Sequence, residues 1–267
     1  MPRYAASVQY DGSRFYGWQS LKTGLPTVQA AVEKALSTVA DHPISVICAG
    51  RTDARVHGSN QIIHFDSDSV RTERGWAYGA NANLPDDIAV NWVKPVSDDF
   101  HARFSAKWRR YRYVIYNHPI RPAHLSKGVT WNYRPLDVAR MKEAAEYLKG
   151  EHDFTSYRAI QCQAKNPVRT VTRMDISRHG PLIVIDVQAN AFLHHMIRNF
   201  AGVLMAIGCG KREPIWAKEV LDARDRGQGG VTASPCGLYF IDVGYDEVFG
   251  LPESESNPHF IAPLLPL

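Results

Sequence analysis

The order of extended and helical segments is the feature of this sequence that most constrains its fold. In the N-terminal part, apolar or alternating patterns typical of strands occupy residues 3–10, 44–49, 60–66 and 88–96. Helical spacing of apolar residues predicts one helix from Thr27, its N-cap, to residue 40 and a weaker helix near 73–82. The first part of the chain therefore has the order β-α-β-β-α-β.

The same order recurs in the second part of the chain. Strands are predicted at 107–117, 168–177, 182–189 and 237–243, and helices at 137–149, at 192–208 and, shorter, from Pro214. Two copies of this order predict an α+β protein with two ferredoxin-like halves, 1–104 and 105–246, followed by a tail at 247–267. Because helices cover one face of each antiparallel sheet, we expect the sheets to flank a basic cleft broad enough for a folded RNA.

The composition restricts the class of protein. The 267 residues suffice for one large domain or two smaller ones. No apolar run approaches the roughly 20 residues that cross a bilayer, and the opening MPRYAASVQYDG lacks the apolar core of a signal peptide. The four cysteines form no CxxC pair, and His194 and His195 would point apart on a helix, so no metal is expected. A reduced cytoplasmic protein is the simplest interpretation.

Positive charge is concentrated in one segment. The net charge is only +4, yet basic and aromatic residues alternate between 103 and 113, namely Arg103, Lys107, Trp108, Arg109, Arg110, Tyr111, Arg112 and Tyr113. Cations for phosphates and flat rings for bases are what contact with RNA requires. A solvated edge strand with aromatic core residues on its other face fits the segment equally well.

A short loop between two predicted strands carries the densest set of chemical groups. Residues 49–58 include Arg51, Asp53, Arg55 and His57. Loops held by rigid strands are where catalytic groups concentrate, and a carboxylate beside guanidinium groups stays ionised. Composition alone nevertheless favours an ordinary polar turn with an Asp–Arg ion pair.

Several motifs together give this loop a more specific interpretation. The segment GRTDARVH at 50–57 resembles the GRTDxGVH signature of TruA-type tRNA pseudouridine synthases. Further blocks resemble that family in the same order, namely YDGSRFYGWQ at 10–19, NANLP at 81–85, FHARFSA at 100–106, RYRY at 110–113, FLHHMIRN at 192–199 and GLY at 237–239. Because these blocks span nearly the whole chain, the resemblance is far more specific than a short GRTD alone.

The resemblance implies an isomerase that breaks the bond between uracil N1 and the ribose, turns the base and rejoins it through C5, with no cofactor. It implies a homodimer that acts on the tRNA anticodon arm, at uridines 38, 39 and 40. Asp53 would be the essential carboxylate, either as a nucleophile or as a base for a ribose proton. Arg198 would pair with Asp53 across the cleft and keep it deprotonated. Tyr111 would stack on the target uracil, with a hydroxyl able to assist a proton transfer.

The resemblance also implies residues that bind the RNA. Arg51 would fill the gap left by the extruded uridine, and Leu238 would line the base pocket. Candidates for phosphate or RNA contacts are Arg71, His101, Arg103, Arg109, Arg110 and the loop from Gln161 to Lys165. The structural alternatives are a buried ion pair for Arg198 and a place in the core for Tyr111 and Leu238.

One position departs from the family signature. Arg55 stands where the family usually has Gly, which often supplies a positive φ angle in such a loop. If the loop requires that angle, Arg55 carries a strain of about 1–2 kcal/mol. Two other functions remain open at this point. They are a catalytically inactive RNA-binding relative and an N-glycosylase, although hydrolysis of that kind often uses two carboxylates and only Asp53 stands out.

Overall fold

The computed structural model of the chain describes residues 1–253, 258 and 260. It divides into two compact units, of which unit 1 comprises Met1–Lys107 with the residues from Tyr239 onward, and unit 2 comprises Trp108–Leu238. The last strand therefore groups with the N-terminal residues, although its position in the sequence predicts that it belongs to the C-terminal half. Most of the expected tail at 247–267 lies outside the described residues.

The helices and strands alternate along the chain much as the sequence predicts. The strands are β1 (Arg3–Tyr10), β2 (Ile47–Cys48), β3 (His57–Asp66), β4 (Ile88–Val96), β5 (Trp108–Asn117), β6 (Thr130–Asn132), β7 (Gly150–Asp153), β8 (Val168–His179), β9 (Leu182–Ala189) and β10 (Leu238–Gly244). The helices are α1 (Val28–Ala40), α2 (Glu73–Asn83), α3 (Val138–Glu146), α4 (Met196–Gly208) and α5 (Trp216–Ala223). Within the described part of the chain, no helix is long and apolar enough to span a bilayer.

The sheet of unit 1 is built around β1 and β3. Strand β1 lies between β4 and β3, and both pairings are antiparallel. Strand β2 is antiparallel to the C-terminal end of β3, whereas β10 runs parallel to its first residues through Tyr239 and Phe240. Both ends of β3 are therefore held, and its first residues directly follow the loop that contains Asp53.

The two helices of unit 1 begin where the sequence predicts. Thr27 accepts a hydrogen bond from the Ala30 N–H at 3.4 Å, and Thr72 accepts one from the Gly75 N–H at 2.9 Å. Such N-caps satisfy backbone donors that have no partner inside the helix. The apolar faces of both helices join the buried core of the sheet, which includes Val8, Val32, Leu36, Ile63, Phe65 and Trp76.

The sheet of unit 2 has the strand order β6-β5-β9-β8-β7. Strands β5, β9, β8 and β7 are antiparallel neighbours, and β6 adds to β5 in parallel. A two-residue turn joins β8 to β9, and Gly180 supplies the positive φ of 57° that this turn needs. Strand β5 is an interior strand, so the alternative interpretation of the basic and aromatic segment at 103–113 as a solvated edge strand is wrong.

Several predicted boundaries differ from the structure. The segment at 44–49 pairs only through Ile47 and Cys48, and the short strands β6 and β7 carry too little alternation to be predicted. The helix predicted at 192–208 begins at Met196 because His195 has a left-handed backbone, with a φ of 63°. Since His194 and His195 precede the helix, their rings do not point apart, and the ring centroids lie 4.0 Å from each other.

Candidate active site

The loop that carries Asp53 is fixed by side chains from the strands of unit 1. The buried Gln61 donates from Nε2 to the Gly50 carbonyl at 2.6 Å and accepts from the Gly50 N–H at 3.3 Å. The hydroxyls of Tyr10 and Thr52 are hydrogen-bonded at 2.8 Å, and the Val56 N–H donates to the Asp53 carbonyl at 3.2 Å. Asp53 is half-buried. The hydrogen bonds of its neighbours fix the backbone on both sides of it.

The N-terminal motif at 10–19 forms the platform on which this loop rests. The Trp18 N–H donates to the Thr52 carbonyl at 3.0 Å, and the Arg55 N–H donates to the Phe15 carbonyl at 3.2 Å. Two motifs that lie 31 residues apart at their closest, from position 19 to position 50, are thus joined by backbone hydrogen bonds. Their joint occurrence in the sequence has a structural reason.

Two glycines allow the platform to approach the loop this closely. A Cβ atom at Gly12 would lie 1.9 Å from the carbonyl oxygen of Val56. Gly17 has a φ of +98°, and a Cβ there would lie 2.9 Å from the carbonyl oxygen of Thr52. Because both obstacles are backbone atoms, neither can move aside like a flexible side chain, and the sequence needs glycine at both positions.

Arg55 has the left-handed backbone that its place in the motif suggests. Its φ is 66°, and its side chain is exposed. This conformation is costly for any residue with a Cβ and is the usual reason for glycine in a tight loop. The loop therefore requires a positive φ angle at this position, and Arg55 carries the strain.

A buried histidine links the end of the loop to the platform. The Nδ1 atom of His57 lies 3.1 Å from the Asp11 carboxylate and also 3.1 Å from the Gly12 backbone nitrogen. The hydrogen-bonding interaction with the His57 ring lowers the pKa of the Asp11 carboxyl, and burial only partly opposes the shift. On its other side the His57 ring stacks on Tyr239 of β10, with centroids 4.7 Å apart.

The candidate RNA-binding residues of unit 1 are largely exposed. Burial raises the pKa of the Cys48 thiol to about 12, and the positive charges of Arg51 and Arg103 oppose this rise. His101 accepts hydrogen bonds from the N–H groups of Arg103 and Phe104, at 3.2 and 3.1 Å. Arg71 is exposed just before α2.

In unit 2, the alternation of β5 places Tyr111 and Tyr113 on one face of the strand and Arg110 and Arg112 on the other. Tyr111 is buried and contacts Phe192 edge to face, with ring centroids 5.1 Å apart. Tyr113, two residues further on the same face, donates from its hydroxyl to the Ser234 carbonyl at 2.8 Å. Burial raises the pKa of Tyr113, while the hydrogen bond with Thr130 and the positive charge of Arg198 act in the opposite direction.

The arginines on the opposite face of β5 share one acidic partner. Arg110 holds the Asp186 carboxylate with two hydrogen bonds of 2.8 and 2.6 Å, and the buried Arg112 donates two more at 3.1 and 3.0 Å. Burial alone would raise the pKa of Asp186, but the Arg110 hydrogen bond and the neighbouring positive charges outweigh it and lower the pKa. This arrangement favours a structural role for Arg110 over a phosphate contact.

The remaining candidates of unit 2 are spread over its loops and one helix. Arg198 lies in the first turn of α4 and donates from Nε to the Ala233 carbonyl at 2.8 Å. Leu238 is buried at the start of β10. Arg109 donates to the Asn190 carbonyl at 3.0 Å, whereas Gln161 and Lys165 are exposed. Each unit therefore contributes part of the set that the resemblance implies.

Sequence reasoning missed the residues that hold these candidates in place. Gly12 and Gly17 were visible only as parts of a motif, and their use depends on a contact between distant segments. Asp186 did leave a signal, because it is the single charged residue in the apolar strand LIVIDVQA, where a buried charge needs a partner. Arg226, on the loop between α5 and β10, left no comparable signal.

The sequence was compared with known proteins. A family model described as tRNA pseudouridine synthase matches residues 6–105 and 144–246. A tRNA pseudouridine synthase A of Pseudomonas aeruginosa is 59% identical over 98% of this chain and 92% of its own length. The protein of the same name from Alcanivorax borkumensis is 55% identical over 97% of both chains, and that from Coxiella burnetii is 54% identical over 98% of this chain and 100% of its own. The chain belongs to the tRNA pseudouridine synthase A family.

Proposed function

We propose that this member of the family converts uridine to pseudouridine at positions 38, 39 and 40 of the tRNA anticodon stem-loop, with Asp53 as the catalytic carboxylate. The bond between uracil N1 and the ribose breaks, the base turns, and a new bond forms at C5. The hydrogen at C5 leaves and N1 gains a proton, so the product is an isomer of unchanged mass. The observation that carries the assignment is that Asp53 is half-buried on a loop that backbone hydrogen bonds join to the motif at 10–19.

Tyr111 and Arg198 complete the proposed catalytic set. The burial of Tyr111 and its edge-to-face contact with Phe192 support a ring fixed well enough to stack on a base. The hydrogen bond from Arg198 Nε to the Ala233 carbonyl supports the proposal that the guanidinium group of Arg198 has a defined orientation. Arg51, exposed on the Asp53 loop, is proposed to fill the place of the extruded uridine, and the buried Leu238 to line the base pocket.

The proposed RNA contacts are electrostatic. The exposed Arg71 and Arg103, together with His101, Arg109, Gln161 and Lys165, are assigned to phosphate or sugar contacts. Such contacts supply affinity that falls with salt, and they position the RNA without reading its sequence. Arg110 is the weakest of the proposed contacts because Asp186 already holds its guanidinium group.

The proposal includes an architecture of two ferredoxin-like halves in a cytoplasmic homodimer. In unit 1 the strand order β4-β1-β3-β2, with α1 after β1 and α2 after β3, supports the first half. In unit 2 the antiparallel set β5-β9-β8, with α3 before β8 and α4 after β9, supports the second. The same proposal includes cytoplasmic tRNA as the substrate and a dimer that binds the anticodon arm of the tRNA.

The test is the release of tritium from tRNA labelled at uracil C5, because the new C5 bond must expel that hydrogen. We expect release by the wild type, no release by Asp53→Ala, and normal release by Asp99→Ala, which removes an exposed acid of the same unit. Release by Asp53→Ala at the wild-type rate would refute the role of Asp53. An abasic site in place of an isomer would identify an N-glycosylase, and tRNA binding without release would identify an inactive relative.

A further inference from the structure

The loop between α5 and β10 is tied to the residue proposed to act from α4. Arg198 donates from Nε to the Ala233 carbonyl at 2.8 Å, and the Ala233 N–H donates back to the Arg198 carbonyl at 3.1 Å. The two residues thus hold each other through one side-chain and one backbone hydrogen bond. The direction of the Arg198 guanidinium therefore depends on where this loop places Ala233.

A second arginine fixes this loop on the helix. The Nη2 group of Arg226 lies within hydrogen-bond distance of three acceptors, namely Asn199 Oδ1 at 3.0 Å, the Gly230 carbonyl at 2.9 Å and Thr232 Oγ1 at 2.9 Å. Thr232 in turn donates to Asn199 Oδ1 at 2.7 Å. Asn199 directly follows Arg198 in α4, so the network joins the loop to the turn of the helix that carries the proposed catalytic arginine.

The network continues into the interior of unit 2. Asn199 is 2% exposed, and its Nδ2 group donates to the Tyr157 carbonyl at 2.7 Å. Its Oδ1 atom accepts from both Arg226 and Thr232. A buried amide with these partners has one favourable orientation, and its partners are fixed with it.

The loop also packs on α4 without free space. A Cβ atom at Gly202 would lie 1.9 Å from the Val231 carbonyl oxygen. A Cβ atom at Gly230 would lie 3.2 Å from the Val203 nitrogen. These are contacts between backbones, so a change in the loop moves its peptide groups directly.

The far end of the loop is connected to the strand that carries Tyr111. The Ser234 carbonyl accepts the hydrogen bond of Tyr113, and a Cβ at Gly237 would lie 2.3 Å from the Val114 carbonyl oxygen. Leu238 follows immediately. One segment therefore reaches α4 at Arg198, β5 at Tyr113 and the proposed wall of the base pocket.

We propose that Arg226 is a positioning residue for the isomerisation, which orders the 226–234 loop so that Ala233 directs the guanidinium group of Arg198. The inference rests on the proposed catalytic role of Arg198. Arg226 itself touches no substrate in this assignment. Its contribution is geometric, because a shift of about 1 Å in a reacting group lowers a rate by up to roughly 100-fold.

The first experiment separates positioning from stability. Arg226→Ala, Arg226→Lys and Thr232→Val are assayed for kcat, KM and tRNA affinity by tritium release and filter binding. We expect kcat of Arg226→Ala to fall roughly 10- to 100-fold with KM and Kd within about threefold, and smaller losses for the other two variants. Arg178→Ala is the matched control, since Arg178 also donates to a carbonyl and an amide oxygen, those of Leu136 and Asn117. It should lose stability without a comparable loss of kcat.

A double-mutant cycle with Arg198→Lys tests the route of the effect. If Arg226 acts through Arg198, then adding Arg226→Ala to Arg198→Lys lowers the single-turnover rate by less than about threefold. The same factor in both backgrounds would overturn the inference while leaving the role of Arg198 intact. A wild-type rate for Arg198→Lys alone would instead refute the proposed role of Arg198, so the two failures are distinguishable.

Discussion

Replacing Arg55 by glycine is expected to stabilise the protein. Arg55 has a φ of 66°, in the region that an L-residue reaches only at a cost, while its side chain is exposed. Its backbone N–H donates to the Phe15 carbonyl, and glycine keeps that hydrogen bond. The substitution therefore removes the conformational strain without opening a cavity or breaking a buried contact.

The size of the gain follows from two opposing terms. Relief of the left-handed conformation is worth about 1–2 kcal/mol. Glycine makes the unfolded chain more flexible, which costs about 0.4–1 kcal/mol. The net gain in the free energy of unfolding is therefore about 0.8 kcal/mol, which corresponds to a rise in Tm of about 1–3 °C for a chain or unit of this size.

Thermal unfolding followed by circular dichroism, with Arg55→Ala as the matched control, checks this prediction. Alanine also removes the charged side chain but keeps a Cβ and hence the strain, so its stability should stay within about 0.5 kcal/mol of the wild type. A lower stability for Arg55→Gly than for Arg55→Ala would refute the reasoning. That result would mean that the loop does not strain residue 55.

Two further substitutions test the contacts that hold the candidate residues. Gly17→Ala places a Cβ 2.9 Å from the Thr52 carbonyl oxygen at a φ of +98°, whereas Gly24→Ala, at a φ of +73°, meets nothing within 4 Å. We expect Gly17→Ala to lose about 1–3 kcal/mol more in urea unfolding than this control, and equal losses would contradict the close contact. Asp186→Asn should cost about 3–5 kcal/mol at pH 7, because it leaves the buried Arg112 without its counter-charge. The pKa of Asp186 is lowered on folding from its usual 3.8, so its stabilisation is complete above that pH and is lost as the pH falls through the folded-state pKa. Unfolding at pH 7 and near pH 3 should therefore show a smaller difference between the two proteins in acid, and a constant difference would count against the ion pair.

Local patterns were sufficient to predict most of the helices and strands, because these elements of the chain agree with the propensities of their own sequences. Thr27 caps α1 as predicted, and β1, β4 and β9 have the predicted bounds. The wrong predictions occur where tertiary contacts, and not the local sequence, determine the conformation. Phe192–His195 continues the apolar pattern of α4, yet His195 adopts a left-handed backbone before the helix begins. Strand β7 exists through its pairing with β8, which no local pattern of four residues can reveal.

The candidate site was predictable only in part for a related reason. Alternation in the RYRY segment places the two arginines on one face of a strand and the two tyrosines on the other, but the sequence could not show whether these side chains bind RNA or have structural partners. The structure places Tyr113 in the interior and commits Arg112 to Asp186, a residue 74 positions further along the chain. Charge neutralisation by so distant a partner follows from the pairing of β5 with β9 and not from composition.

In both units, a close contact between backbones at a glycine supports the segment that holds a candidate catalytic group. In unit 1 the loop of Asp53 rests on the backbone at Gly17, and in unit 2 the segment that orients Arg198 rests on the helix backbone at Gly202. A contact between peptide groups has no rotamers through which it can relax, so it transmits position more rigidly than a contact between long side chains. Catalysis that gains its rate from the placement of its groups needs supports of this kind. Glycines without chemistry of their own therefore help to place the carboxylate and the guanidinium group of the proposed reaction.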